Sequence, residues 1–296
     1  MVTCNNHADG FDGLGISEPD RSTYRRFMTD HPDRYTHGHH ESVLRSHRWR
    51  TVENSAAFAM PYLHEGISLL DVGCGPGTIT ADLASRIPGG QVVGIDLASD
   101  VIDDARREFG TSNLLFEVGD VYALQFATAS FDLVYAHQVL QHLGDPIAAL
   151  REMLRVLRPG GHVALRDSDY GAFLWSPPDP QLSRWMEIYH QVTARNGAEA
   201  DAGRQLHRWV RTAGFEQLQV SSSNWTFQSA EDRTWWGGLW ADRVRESEYA
   251  RQSVEYGLTS HSELEGIAEA FLHWAADPDA LFIVVHCEVI ATKPLG

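Results

Sequence analysis

Lysine is almost missing from this chain: Lys293 is the one lysine among 24 basic residues, the others being arginine. Cysteine is scarce as well. Cys4, Cys74 and Cys287 are odd in number and far apart, which argues against a disulfide framework or a C-x-x-C site and suits a reducing compartment. No apolar run approaches the roughly 18 residues of a membrane span. The opening stretch, MVTCNNHADGFDGLGISEPD, has neither the basic start nor the apolar centre of a signal peptide. Residues 1–20 are therefore expected to form a loose polar tail, and the protein is expected to be cytoplasmic. Positive charge is also in deficit. A formal net charge of −16 repels polyanions, so neither nucleic acid nor an anionic membrane surface is expected as a partner. The arginine-rich stretch over residues 45–50 is too small to reverse that.

What is present is an ordinary globular composition, 43% hydrophobic over 296 residues, enough for one large domain carrying an insertion. The informative segment is ISLLDVGCGPGTITADLASRI, beginning at Ile67. A short apolar run ends in Asp71, as in a buried parallel strand. Gly73, Gly75 and Gly77 follow, and then a helical pattern through Ile79, Leu83 and Ile87. Glycines at a strand-to-helix turn let the backbone approach a ligand closely, and the helix start presents free N–H groups.

Dinucleotide-binding folds space these glycines as G-x-G-x-x-G. Here Gly77 follows Gly75 by two, and an acid precedes the first glycine. DVGCGPG resembles the D/E-x-G-x-G-x-G motif of the Rossmann-like S-adenosylmethionine (SAM) dependent methyltransferases, and the similarity extends from Ile67 to about Tyr170. The resemblance implies SAM as cofactor, released as S-adenosylhomocysteine (SAH). It implies that Asp71, Gly73, Gly75, Gly77 and Thr78 surround it, and that Asp96, ending QVVGIDLA with Leu97 beside it, accepts from the ribose hydroxyls. Asp120, in LLFEVGDVYAL, would hold the adenine amino group with Val121 against the ring. His137, emerging with Gln138 from FDLVYAHQVLQHL, would lie at the methionine end.

Alternating strands and helices predict an α/β fold, a doubly wound seven-stranded sheet, mostly parallel with the last strand antiparallel. An N-terminal helical cap is expected over residues 21–65. The SAM-binding core should span 66–227, with a substrate-side addition over 170–204. Residues 228–279 should form a helical insertion acting as a lid, and 280–296 should carry the final strand. The additions are rich in tryptophan: Trp175, Trp185, Trp235, Trp236, Trp240 and Trp274. Aromatics at helical spacing fit a packed core or a lid over a flat, apolar substrate.

The run YTHGHHESVLRSH places His37, His39, His40 and His47 within thirteen residues. Adjacent histidines point apart on a helix, and the spacing is neither H-E-x-x-H nor a Cys/His pattern; a metal through His37 and His39 requires an extended segment. The cluster is expected to line the cap, with His40 at the cofactor. RSHRWRT resembles the H-R-x-W-K/R pattern of the ubiquinone and menaquinone C-methyltransferases. The wider run resembles secondary-metabolite enzymes grouped with them, including indole C-methyltransferases of tryptophan-derived diketopiperazines. Function is therefore expected to be methyl transfer to a small aromatic metabolite, at an indole carbon under that resemblance. The alternatives are an O- or N-methyltransferase of another natural product, or a SAM-binding protein without turnover. No metal is expected. His39, His142, Asp167 and Tyr35 are the candidates for a base or its relay.

Overall fold

The computed structural model describes residues 33–38 and 41–296. His39, His40 and the expected tail over 1–20 lie outside the described residues, as does the start of the expected cap. Strand β1, Ser68–Val72, is buried at every position. It lies between β2, Gln91–Asp96, and β4, Phe131–His137, both parallel to it. β3, Leu114–Val118, extends the sheet beyond β2, and β5, Leu157–Ser168, extends it beyond β4. The parallel order is thus 3-2-1-4-5, with a reversal of direction of growth next to β1. Such a reversal opens a crevice at the strands' carboxyl ends.

β8, Leu281–Thr292, runs antiparallel between β5 and β7, Glu216–Phe227. These are the seven expected strands and the expected antiparallel one. A further three-residue strand, β6 at Leu174–Ser176, pairs with the start of β8 and makes the sheet eight-stranded.

Helix α1, Glu41–Arg48, and two short helical turns through Tyr62 precede β1. α2, Thr78–Ser85, and α3, Ser99–Phe109, follow β1 and β2. α4, Pro146–Val156, begins where the Asp145 side chain accepts from Ala148 N at 2.9 Å and proline occupies the first turn, a start signal readable in the sequence. α5, Pro180–Arg195, and α6, Ala202–Ala213, lead to β7. The expected insertion is three helices: α7, Ala230–Glu246, α8, Glu248–Glu255, and α9, His261–Ala276.

Three apolar clusters are buried among the described residues, one of them packing α2 and α3 on the sheet around Leu83 and Phe116. A second, around Leu70, Val134, Met153 and Leu206, packs α4 and α6 on the sheet. The third is aromatic, with Trp185, Trp240, Phe271 and Phe282 buried together. α7 and α9 cross closely at Gly237, where a Cβ would sit 2.7 Å from Phe271 O and from Ala275 Cβ. No helix among the described residues is long and apolar enough to cross a membrane.

Candidate functional site

A cavity of about 560 Å³ opens at the carboxyl ends of β1, β2 and β4, under α1 and α7, within the range of small-molecule sites. One end is the glycine turn. Gly73 N and Cys74 N donate to Ile95 O at 2.8 and 2.9 Å, binding the turn to β2. All three glycines have positive φ, at 70°, 54° and 83°. A Cβ on Gly73 would lie 2.5 Å from Val139 Cγ2, and one on Gly77 2.7 Å from Phe116 Cζ. Side chains are thus excluded by the fold's own packing as well as by strain. Gly77 caps α2 and, unlike Gly73 and Gly75, does not line the cavity.

The acids take distinct positions. Asp96 braces the turn, its Oδ2 accepting from Gly75 N and its Oδ1 from Ala98 N, each at 3.0 Å. Asp120 Oδ1 accepts from Tyr122 N at 2.9 Å. Asp71 is buried, its Oδ2 accepting from Thr80 Oγ1 at 2.6 Å; burial pushes its pKa up to about 7. Leu97 and Val121 also line this end, Leu97 with 53% of its surface exposed. α1 closes over the turn, where Thr78 Oγ1 donates to His47 O at 3.1 Å.

The opposite end is aromatic and cationic. His37 is buried, with its Nε2 2.9 Å from the Tyr189 hydroxyl and 3.3 Å from that of Tyr170. Those two rings stack at 3.9 Å. His142 lies edge-on to Tyr35, ring centroids 4.7 Å apart. Burial, with the charge of Arg50, lowers the His142 pKa to about 3, while burial pushes the Tyr35 phenol up to about 12. Trp236, Trp240 and Phe173 complete this wall.

His137 ends β4 at the cavity, with its Nε2 unpartnered and its pKa held well below the usual range by burial and by Arg50 and Arg166. Gln138 follows in the left-handed region, φ 54°. It donates to Ser168 Oγ at 2.6 Å, lies 2.9 Å from His286 Nε2, and accepts from Arg50 Nη2.

The Methyltransferase domain family matches residues 63–214. An uncharacterized methyltransferase of Schizosaccharomyces pombe is 30% identical over 88% of this chain and 96% of its own length. The chain belongs to the methyltransferase-domain family. An O-methyltransferase of Penicillium expansum is 35% identical over 53% of this chain and 55% of its own length. A phosphoethanolamine N-methyltransferase of Haemonchus contortus shares the fold, with TM-score 0.54, 17% identity, 87% of this chain covered and 58% of that chain. The expectation of a SAM-dependent methyltransferase therefore stands.

Two sequence expectations about this methyltransferase need correction. Asp167 does not line the cavity: side chains alternate along a strand, and Ser168 is the β5 residue that faces it. The Asp167 carboxyl is buried, with Oδ1 accepting from Gln141 N at 3.3 Å and Oδ2 unpartnered. His142, four residues after Gln138, would share its face on a helix. It lies instead in a single 3-10 turn, Leu140–His142, because the helix waits for Asp145 and Pro146; it still reaches the cavity. His37, Arg50 and Arg243 were not selected as site residues, although all three line the cavity. The signal that could have revealed Arg243 is its position within a tryptophan-rich segment, WWGGLWADRV.

Proposed function

We propose that the protein transfers a methyl group from SAM to a small planar aromatic metabolite, with oxygen as the accepting atom. The observation that carries this reading is one continuous cavity with the glycine turn at one end and an aromatic wall at the other. The name of the Penicillium expansum relative favours oxygen over the indole carbon that the subgroup resemblance implies.

The residues present fit the cofactor. Half-exposed Leu97, with Val121, offers apolar surface for a planar base, and Asp96 and Asp120 would hold the adenosine portion. Arg50, whose buried Nε has no hydrogen-bond partner, would receive the cofactor's carboxylate. When bound, SAM supplies an electrophilic methyl on a sulfonium. The protein's work is then chiefly positioning, which can supply several kcal/mol.

Tyr170, Trp236 and Trp240 would orient the acceptor ring. His142 is neutral at working pH, and its Nε2 accepts from the Gln141 amide at 3.0 Å; its Nδ1–H would donate to the acceptor oxygen and orient it, the acceptor's proton leaving to solvent. Tyr35 keeps its own proton under the same conditions and would orient rather than deprotonate.

Two measurements test this: calorimetric titration with SAH, then incubation with SAM and a panel of phenols and indoles while SAH release is followed. SAH binding plus turnover of a phenol is the expected result. Absence of SAH binding overturns the cofactor assignment, and turnover of indoles alone overturns the choice of oxygen.

A further inference from the structure

Three arginines surround the cavity, and they are not alike. Arg166 has a carboxylate, with its Nε 3.5 Å from Glu288 Oε1. Arg50 and Arg243, both lining the cavity, have no carboxylate within ion-pair distance among the described residues. A buried guanidinium without a counter-charge is strongly unfavourable, and proteins normally pair it. Arg243 is 5% exposed. Its Nη2 donates to Ser46 Oγ, its Nε has no partner, and its guanidinium lies 5.0 Å from the Trp240 ring centroid.

The cavity's own carboxylates are engaged elsewhere. Asp33 accepts from the Tyr122 hydroxyl at 2.6 Å and from Gly144 N at 3.0 Å; Asp71, Asp96 and Asp120 serve the glycine-turn end as described. SAM brings one carboxylate, which the functional reading above assigns to Arg50. One cation remains.

We propose that the aromatic end of the cavity is an anion subsite, in which Arg243 receives the carboxylate of an aromatic acid. The inference rests on the methyl-transfer reading and narrows it: the acceptor carries an acid group as well as a ring. The neighbouring phenols do not supply the missing charge, because burial raises the pKa of Tyr35, Tyr170 and Tyr189 and keeps them protonated. The guanidinium lies over the Trp240 face, which leaves the in-plane N–H donors, Nε among them, for a carboxylate.

The test uses the full chain saturated with SAH, titrated with indole-3-carboxylate and with its near-isostere indole-3-carboxamide. The acid should bind about tenfold tighter or more, as expected of a charge-assisted pair. Arg243→Gln should bring the two affinities together while leaving SAH affinity unchanged. Ser46→Ala, which removes the side-chain contact of Arg243 with α1 and leaves its longer bond to Ser42 O at 3.4 Å, keeps the charge and should preserve the preference. Equal binding of acid and amide, no saturable binding of the acid, or loss of the preference in Ser46→Ala would each overturn the subsite. If Arg243→Gln does not fold, the acid-to-amide ratio in the parent protein, and its retention in Arg243→Lys, decide the matter. Failure of SAH binding is read separately, in the first titration, and the acid and amide are then compared on the free protein.

Discussion

Arg50 donates through Nη2 to the side-chain oxygen of Gln138, 88 positions along the chain. This bond fastens the segment after α1 to the exit of β4, and it holds a non-glycine residue at φ 54°, a conformation that is costly unless its surroundings impose it. Arg50→Ala should weaken SAH binding about tenfold or more, the loss of one charge-assisted hydrogen bond. Gln138→Asn tolerates the backbone better but falls short of Arg50, so it should lower turnover while leaving thermal stability level or higher. Calorimetry on the two single variants and the double should give a coupling of about 0.5–3 kcal/mol; simple additivity would mean that the bond does not organise the site.

Asp96→Asn keeps an oxygen for one of the two turn N–H groups and removes the negative charge. SAH affinity should fall by about 1.5–3 kcal/mol, with circular dichroism unchanged. Unaltered affinity would confine Asp96 to bracing the glycine turn.

His142→Ala should reduce turnover about tenfold, the loss of one hydrogen bond that orients the acceptor, with SAH affinity within twofold. Because burial and Arg50 hold the imidazole to a pKa of about 3, its protonation should not inhibit the reaction between pH 8 and 5. A rate that drops with an inflection near 6.5 and loses it in His142→Ala would mean that the ring titrates with solvent access and is not held neutral.

Asp167 yields a prediction about stability instead of catalysis. Burial raises its pKa to about 8, so the folded chain binds this proton more tightly than the unfolded one. Its contribution is intact below about pH 4 and is lost as pH rises towards 8. Asp167→Asn cannot ionise. Relative to the parent, it should gain about 1–3 kcal/mol in urea unfolding between pH 5 and 8.5. A constant difference across that range would mean that the carboxyl finds solvent or a cation when charged.

The glycine turn, the acids at the ends of β2 and β3, and the alternation of strands and helices were readable because each signal is local: an apolar run, a punctuating glycine, a carboxylate at a strand end. Asp167 misled because a strand's final residues look alike in sequence, while alternation sends Asp167 and Ser168 to opposite faces. His142 sits in a 3-10 turn because the helix begins only at the Asp145–Pro146 start signal. For Arg243 the local signal, its tryptophan-rich segment, is weak. Its significance comes from α1 and the side chains of Tyr35, Tyr170 and Tyr189 meeting around it, and from the carboxylate that none of them provides. The tryptophan-rich insertion proved to be two things at once: Trp240 is 1% exposed in the aromatic core and also forms part of the cavity wall.

β8 is paired on both sides, to β5 over Ser168–His162 and to β7 over Glu216–Phe227. It also follows every other strand in the chain. Until residues 281–292 arrive, two long strands present open edges of unpaired N–H and C=O groups, a template for mispairing with another chain. The helices α7, α8 and α9 occupy that interval, each with sequence-local hydrogen bonding. The part of the protein that walls the substrate end thus also delays completion of its sheet, so a chain stopped before Leu281 should aggregate instead of folding into a smaller enzyme.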